Sequence, residues 1–143
     1  MSEQNKATVR RIVEEIQNAH QLDRMEEFFD PDFANHVEHG AQPADLNAVQ
    51  RARIVFGQLF AAFPDMRCTI HDQLAEGDRV VTRKVFQGTH QGAFMGLPAT
   101  GRQVEFAVID ILRLKDGKVV EHWAVQDRLA LMEQLGLVGG PGE

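Results

Sequence analysis

The residues best suited to acid/base chemistry are an aspartate and a histidine in two neighbouring apolar segments. Asp110 lies between Ile109 and Ile111, and His122 lies beside Trp123. A buried carboxylate is strongly unfavourable unless another group pairs with it, so an acid in such a segment requires a partner. A carboxylate and an imidazole on one apolar surface tune each other's proton affinity and can move a proton near neutral pH. Asp110 and His122 are therefore the candidate catalytic pair.

The orientation of this pair depends on the turn at Asp116-Gly117, which joins two predicted antiparallel strands. A three-residue turn with a glycine bulge makes Asp110 face His122 across the hairpin. A two-residue turn changes the parity, so that Asp110 faces Trp123 and the pair is lost. In the first case five apolar residues share the side of Asp110: Phe106, Val108, Leu112, Val120 and Ala124.

The sequence leaves a structural role for Asp110 open beside the catalytic one. In that role the carboxylate accepts hydrogen bonds from His122 or from a loop and holds the sheet in shape.

Asn35 and His36 are candidate substrate-binding residues on an early strand that enters a cavity, although an exposed sheet edge fits them equally well. His90 is a third candidate, and its alternative is a histidine that caps the end of a strand.

Four histidines raise the question of a metal site: His36, His39, His90 and His122. No two of them have the i, i+4 helical spacing with a supporting glutamate, so the sequence predicts no metal. The sequence also has no serine or cysteine nucleophile arrangement and no glycine-rich phosphate loop between a strand and a helix. It therefore favours acid/base chemistry.

Helices come first in the chain and strands follow, which is the pattern of an α+β fold. We expect a strongly curved antiparallel or mixed sheet wrapped around the N-terminal helices, in one domain over 1–143 with a flexible tail over 138–143. The predicted elements are a helix over 5–19, a short helix capped by Asp23 and ended by Asp30-Pro31-Asp32, a long helix capped by Asp45 and ended by Pro64, strands over 66–74, 79–89, 103–114 and 118–125, and a last helix capped by Asp127.

A curved sheet encloses a hollow, which we interpret as an internal pocket. The glycine-rich segment 90–102 is the expected flap over it, and a loop packed on the edge of the core is the alternative. The expected apolar walls are Phe60, Phe94, Met95 and Val108. Such a pocket suits a small, apolar molecule that contains a carbonyl group.

The composition argues against several classes of partner. The chain has 143 residues, of which 43% are hydrophobic, and a net charge of -6. This charge provides no basic surface for nucleic acid or an anionic membrane, and no apolar run approaches the roughly 20 residues of a membrane helix. A polar start without a secretory signal, together with a single cysteine, predicts a cytoplasmic protein.

Seven short segments follow one another along almost the whole chain: FDPDFAN at 29–35, AFPD at 62–65, EGDRVV at 76–81, GTHQG at 88–92, MGLPATGR at 95–102, DGKVVEHW at 116–123 and QLG at 134–136. Together they resemble the SnoaL-like polyketide cyclases, within the wider superfamily of nuclear transport factor and ketosteroid isomerase. The resemblance implies a cystatin-like α+β cone that forms a homo-oligomer, a dimer or tetramer, and needs no metal or organic cofactor. It also implies ring closure in an aromatic polyketide by intramolecular aldol condensation.

The resemblance extends to the site only in part. Asn35 and His122 match the family. The family's essential aspartate, two residues beyond this histidine, corresponds to Ala124, and its cavity histidine on the preceding strand corresponds to Asp110. The main acid/base group has therefore changed strand. Asp110 also resembles the strand acid of ketosteroid isomerases, which favours enolate chemistry, although this chain has no tyrosine.

These observations support two hypotheses of different classes. In the leading one, a lyase or isomerase-type enzyme uses Asp110, assisted by His122, to move a proton beside a carbonyl while Asn35 or His90 steadies the oxygen. In the other, the same hollow, with Ala124 on its wall, binds a small molecule without converting it. A third possibility, an epoxide hydrolase, needs a second inward carboxylate that the sequence does not supply.

Overall fold

The first part of the chain forms a helical unit, as its apolar spacing predicts. In the computed structural model, which describes residues 2–38 and 41–138, helix α1 (Ser2–Arg11) continues into a wider π-helical segment (Ile12–Asn18). Four apolar residues of this unit are buried: Val9, Ile12, Val13 and Ile16. They form the stripe that packs on the sheet.

The segment that follows differs from the prediction. The short helix is a 3₁₀ helix (Leu22–Glu27) that contains Asp23 instead of being capped by it. Strand β1 (Phe29–Asn35) runs through Asp30-Pro31-Asp32, which we expected to end a helix. Proline is tolerated there because β1 is the edge strand of the sheet.

Helix α2 (Ala48–Ala62) is capped by Asn47, two residues after the predicted cap. Asn47 has extended backbone, and its side chain accepts a hydrogen bond from the Gln50 N–H at 2.9 Å. The Gln50 side chain accepts one from the Asn47 N–H at 2.8 Å, which completes a capping box. Asp45 is therefore not the cap.

The remaining elements complete a mixed five-stranded sheet, and the predicted α+β class is confirmed. The further strands are β2 (Arg67–Glu76), β3 (Arg79–Thr89), β4 (Gln103–Lys115) and β5 (Lys118–Gln126), and they are followed by helix α3 (Arg128–Leu135), which Asp127 caps as predicted. The order across the curved sheet is β1-β5-β4-β3-β2, in which β1 runs parallel to β5 and the other neighbours are antiparallel.

The turn between β4 and β5 has two residues instead of the expected three. Lys115 pairs with Lys118, and both turn residues, Asp116 and Gly117, have positive φ angles of 51° and 80°. Positive φ at both positions is the backbone of a type I′ turn, which Asp-Gly favours.

A β-bulge then corrects the parity that this short turn would reverse. Leu114 pairs with Val119, but Arg113 pairs with Glu121, so Val120 is the extra residue. Val119 is fully buried in its place, which contradicts the predicted inward position of Val120. Beyond the bulge, the side chains of both strands point to the faces predicted for them.

The apolar core lies between the helices and the inner face of the sheet, in two clusters. Val80, Leu112 and Val119 belong to the cluster near the strand turns. Phe86 and Val108 belong to the cluster at the other end of the same strands. The inner face between the two clusters is polar, and this polar region forms the candidate site.

Within residues 2–38 and 41–138, no helix is long and apolar enough to cross a membrane. His39 and all but the first residue of the predicted tail 138–143 lie outside the described residues.

Candidate functional site

A row of polar side chains crosses the inner face of the sheet between the two apolar clusters. We call this set the inner polar row: Thr82 and Lys84 on β3, Asp110 on β4, His122 on β5 and Asn35 on β1. Alternation along β3 and β4 turns the first three residues inward, and each is less than 5% exposed. The sequence places five polar groups where a sheet normally buries apolar ones.

Asp110 pairs with a lysine that the sequence analysis did not single out. Lys84 Nζ lies 2.7 Å from Asp110 Oδ2, and both side chains are about 95% buried or more. Lys84 Nζ also donates to Gln17 Oε1 of the π-helical segment, at 3.3 Å. The sequence does indicate that Lys84 points inward. Val80 and Phe86 have the same parity along the strand as Lys84, and these apolar residues mark that face as the inner one.

Asp110 and His122 share the inner face but are not direct partners. Ala124 lies opposite Asp110, and Leu112 lies opposite His122, so the predicted direct pairing is wrong and the two residues are diagonal neighbours. Asp110 Oδ1 and Thr82 Oγ1 are buried and have no hydrogen-bond partner among the described residues. The carboxylate therefore has one oxygen bound to lysine and one oxygen free to accept a proton.

His122 is held in one tautomer by Asn35. The two residues are register partners, and His122 Nδ1 lies 3.0 Å from Asn35 Oδ1. The same oxygen accepts a hydrogen bond from the Val37 N–H at 3.2 Å, so Nδ1 is the donor and Nε2 is the basic nitrogen. Burial lowers the pKa of His122 to about 4, and the Lys84 cation adds to this while the Asp110 carboxylate opposes it. His122 is therefore neutral at pH 7.

This environment predicts that His122 makes folding sensitive to acid. Its pKa is about 4 in the folded chain and about 6.5 in the unfolded chain, so the unfolded state binds more protons between these values. Stability is full above pH 6.5 and falls by about 3 kcal/mol as the pH decreases towards 4. Urea unfolding from pH 4 to 7 measures this slope, which His122→Gln should reduce. An unchanged slope in the variant would contradict the assignment.

Two predicted substrate-binding residues lie outside the inner face. His36 follows Asn35 but points outward, where its ring stacks on Trp123 at 5.0 Å and its Nε2 lies 2.7 Å from Glu121 Oε2. This is the sheet-edge alternative. Met95 is 50% exposed and contacts Arg128, so it does not line the interior.

His90 is fully buried at the end of β3. Its Nδ1 accepts a hydrogen bond from the Thr100 N–H at 3.2 Å, so in the neutral ring the proton is on Nε2. Nε2 is buried without a partner among the described residues.

The segment 90–102 packs on the core instead of standing away from it. The N–H groups of Gln91 and Gly92 donate to Ala62 O at 2.9 and 3.0 Å, and Phe94 packs edge-on against Phe63. A side chain at Gly92 would lie 2.3 Å from Ala61 O, so only glycine permits this approach.

The other predicted wall residues lie in or against the apolar cluster that contains Phe86. Phe60 and Val108 are buried in it, and Ala124 is partly buried against it. Two surface clefts, of about 500 and 350 Å³, contain none of the predicted binding residues. One is lined by polar residues at the ends of β3 and β4, and the other lies between the helical unit and β2.

The arrangement supplies the parts of a proton-transfer site. Asp110 Oδ1 is an acceptor and His122 Nε2 is a neutral base on the same inner face. His90 does not join them, because the residue before it, Thr89, pairs with Gln103, seven residues along β4 from Asp110. Within the described residues, no three His, Cys, Asp or Glu side chains come together as metal ligands.

Comparisons with known proteins identify the family. The model of the SnoaL-like polyketide cyclases matches residues 7–135. Aklanonic acid methyl ester cyclase DnrD from Streptomyces peucetius is 28% identical over 130 residues, which cover 90% of this chain and 88% of the relative.

Two solved structures have the same fold. IdmH from Streptomyces antibioticus, a candidate polyketide cyclase, has a TM-score of 0.79 at 34% identity, covering 92% of this chain and 98% of that one. AclR from Streptomyces galilaeus, a candidate hydroxylase, has a TM-score of 0.84 at 30% identity, covering 100% of this chain and 87% of that one. The family match spans most of the chain and includes every strand of the sheet. The chain belongs to the SnoaL-like polyketide cyclase family.

Proposed function

We propose that this protein is a cyclase that closes a carbon ring in a polyketide ester by intramolecular aldol addition. The observation that carries the proposal is the buried Asp110, whose Oδ1 has no partner among the described residues while its Oδ2 is bound to Lys84. A carboxylate fixed at one oxygen and free at the other is suited to remove a proton from a carbon beside a carbonyl. The reaction belongs to the lyase or isomerase type.

The proposed steps balance without a cofactor. Asp110 Oδ1 takes the proton, and the electron pair of the C–H bond becomes an enolate. The enolate carbon bonds to a second carbonyl carbon of the same molecule, whose oxygen becomes an alkoxide. The alkoxide then takes the proton back from Asp110, directly or through His122, and the product is an isomer of the substrate.

Two further predicted residues, His90 and Asn35, have different roles in this proposal. His90 Nε2–H is an unpartnered donor at the end of β3 remote from Asp110, so it would contact a part of the substrate away from the reacting carbon. Asn35 was expected to contact the substrate. In this proposal it orients the His122 ring instead, because its Oδ1 accepts the hydrogen bond of His122 Nδ1. Apolar residues at the inner face, among them Phe60, Val108 and Ala124, would hold the carbon skeleton.

The test uses aklanonic acid methyl ester, the compound named for the relative DnrD. Purified protein is incubated with the ester, and chromatography with mass spectrometry follows a product of unchanged mass and new retention time. Conversion above a no-protein control supports the proposal. No conversion, with the ester still bound, would favour a different activity of the same site.

A second candidate is a module that binds a small molecule without converting it. The Lys84–Asp110 pair favours it, because an acid already paired at 2.7 Å also fits the structural role. Calorimetry with the same ester decides between the two. Unchanged ligand after binding, in protein whose Asp110→Asn variant binds equally well, would support this candidate.

We also propose that the protein forms a homodimer through the outer face of the sheet. The helices cover the inner face, while Ile109 and Val125 are register partners on the other face and are 48% and 78% exposed. The family resemblance supports a second copy as the occupant. The single domain, the cytoplasmic location and the absence of nucleic acid and membrane partners stay predictions.

Val125→Glu should weaken this dimer at least about tenfold, because the partner would bury a charge against an apolar surface. Sedimentation velocity over a concentration series measures the effect. Val55→Glu, at an exposed position of helix α2 and away from the outer face of the sheet, is the matched control. A wild-type chain that sediments as a monomer at all concentrations would contradict the dimer.

A further inference from the structure

Lys84 is a buried cation to which neither the family resemblance nor the comparisons give a role. It lies on β3, is 3% exposed, and contacts Asp110 Oδ2 at 2.7 Å and Gln17 Oε1 at 3.3 Å. Burying an ammonium and a carboxylate is costly even when they are paired, and apolar residues of similar volume are often at least as stable there. Stability alone therefore does not explain why the chain buries this pair.

Charge at this site changes during the proposed reaction. Before proton transfer, Asp110 is the anion that balances Lys84. After transfer Asp110 is neutral and the enolate is the anion, so the ammonium must balance a charge on the substrate.

We propose that Lys84 is the positioning residue of this proton transfer: it keeps Asp110 ionised, directs Oδ1 towards the substrate, and then balances the enolate. This inference rests on the proposed function. Its geometric basis is the asymmetry of the carboxylate, since Lys84 binds Oδ2 and leaves Oδ1 without a partner among the described residues. Gln17 fixes the ammonium from the helical side.

The other titratable groups facing this pair do not replace Lys84. His122 on β5 is neutral at pH 7, since its pKa is about 4. Cys68 on β2 is buried, and burial raises its thiol pKa to about 11, so it is neutral as well. Among the described residues, Glu14 of the π-helical segment also acts electrostatically on Cys68, but as an acid it supplies no positive charge that could replace Lys84.

Ala124 adds an observation from the opposite strand. It is the register partner of Asp110 and stands where the family resemblance expects the aspartate. Its methyl group supplies no charge, and the ammonium that pairs with Asp110 comes from Lys84, its diagonal neighbour on β3. The acid and its counterion therefore form a unit on β3 and β4.

The test compares Lys84→Met with Arg83→Met. Arg83 is the next residue on β3, but it points outward and pairs with Asp72 at 2.6 Å, so its variant is the matched control. With aklanonic acid methyl ester, Lys84→Met should lower kcat at least about 10²-fold and change KM less than about threefold. Its kcat should also rise with pH in a range where the wild-type rate is flat. Arg83→Met should change kcat less than about twofold.

A second readout needs no substrate. Infrared difference spectra between each protein and its Asp110→Asn derivative identify the Asp110 band, because carboxylate and carboxylic acid absorb at different frequencies. At pH 7 we expect a carboxylate in wild type and a carboxylic acid in Lys84→Met. Lys84→Gln keeps an N–H donor without the charge and replaces Lys84→Met if that variant does not fold.

The two readouts separate the failure of this inference from the failure of the proposed function. If wild-type protein does not convert the ester, the proposed function fails, and the infrared comparison still decides whether Lys84 sets the charge of Asp110. A carboxylate that persists in Lys84→Met, or an unchanged kcat and pH profile in that variant, would overturn the role of Lys84.

Discussion

Asp110→Asn is expected to lower kcat for ring closure of aklanonic acid methyl ester by at least about 10²-fold, with little change in KM. The amide has the shape of the carboxylate and still offers Lys84 an acceptor, but it cannot take a proton from carbon. The loss should therefore fall on the chemical step and not on binding. Initial rates at saturating ester, corrected for the folded fraction by circular dichroism, measure it.

The matched control is Asp72→Asn. Asp72 also pairs with a cation, Arg83, but the pair is exposed on the outer face of the sheet. The two variants make the same chemical change, and only the inner one removes a group from the proposed site. Turnover by Asp110→Asn within about threefold of wild type would reject Asp110 as the base.

The hairpin that positions Asp110 shows what the sequence can and cannot predict. Asp110 and His122 were predicted to share one face for a three-residue turn only, and the structure has them on one face. Two features differ from the three-residue turn that was expected: the turn has two residues, and β5 has a bulge at Val120. Their effects on which face the side chains occupy cancel. A bulge depends on how the strands twist over the core, which local residue preferences do not encode.

The side chains around the acid show a second limit. Strand β3 was predicted with its observed bounds, yet Lys84 was not recognised, because a lysine in an alternating strand is usually assigned to solvent. The missing signal lay in Val80 and Phe86, the apolar residues of β3 that have the same parity as Lys84. Asn35 and His36 illustrate the reverse case, since adjacent strand residues face opposite sides and only Asn35 can join the inner row.

The largest effect on stability is expected for Lys84→Ala. Removing one partner of a buried ion pair leaves the other uncompensated, which typically costs about 3–5 kcal/mol of unfolding free energy. Here the orphaned group is Asp110, whose Oδ1 already has no partner among the described residues. Urea unfolding at pH 7.5 measures the loss.

The double variant Lys84→Met with Asp110→Leu then separates stability from function. Apolar residues of similar length remove both charges and join the two apolar clusters that the inner polar row divides. We expect this variant to be as stable as wild type, or more stable by about 1–4 kcal/mol, and to have no cyclase activity. If it were instead as unstable as Lys84→Ala, the ion pair would be part of what holds the sheet together. A stable, inactive double variant would mean that the chain retains two buried charges at the expense of its own stability, as expected of a catalytic site.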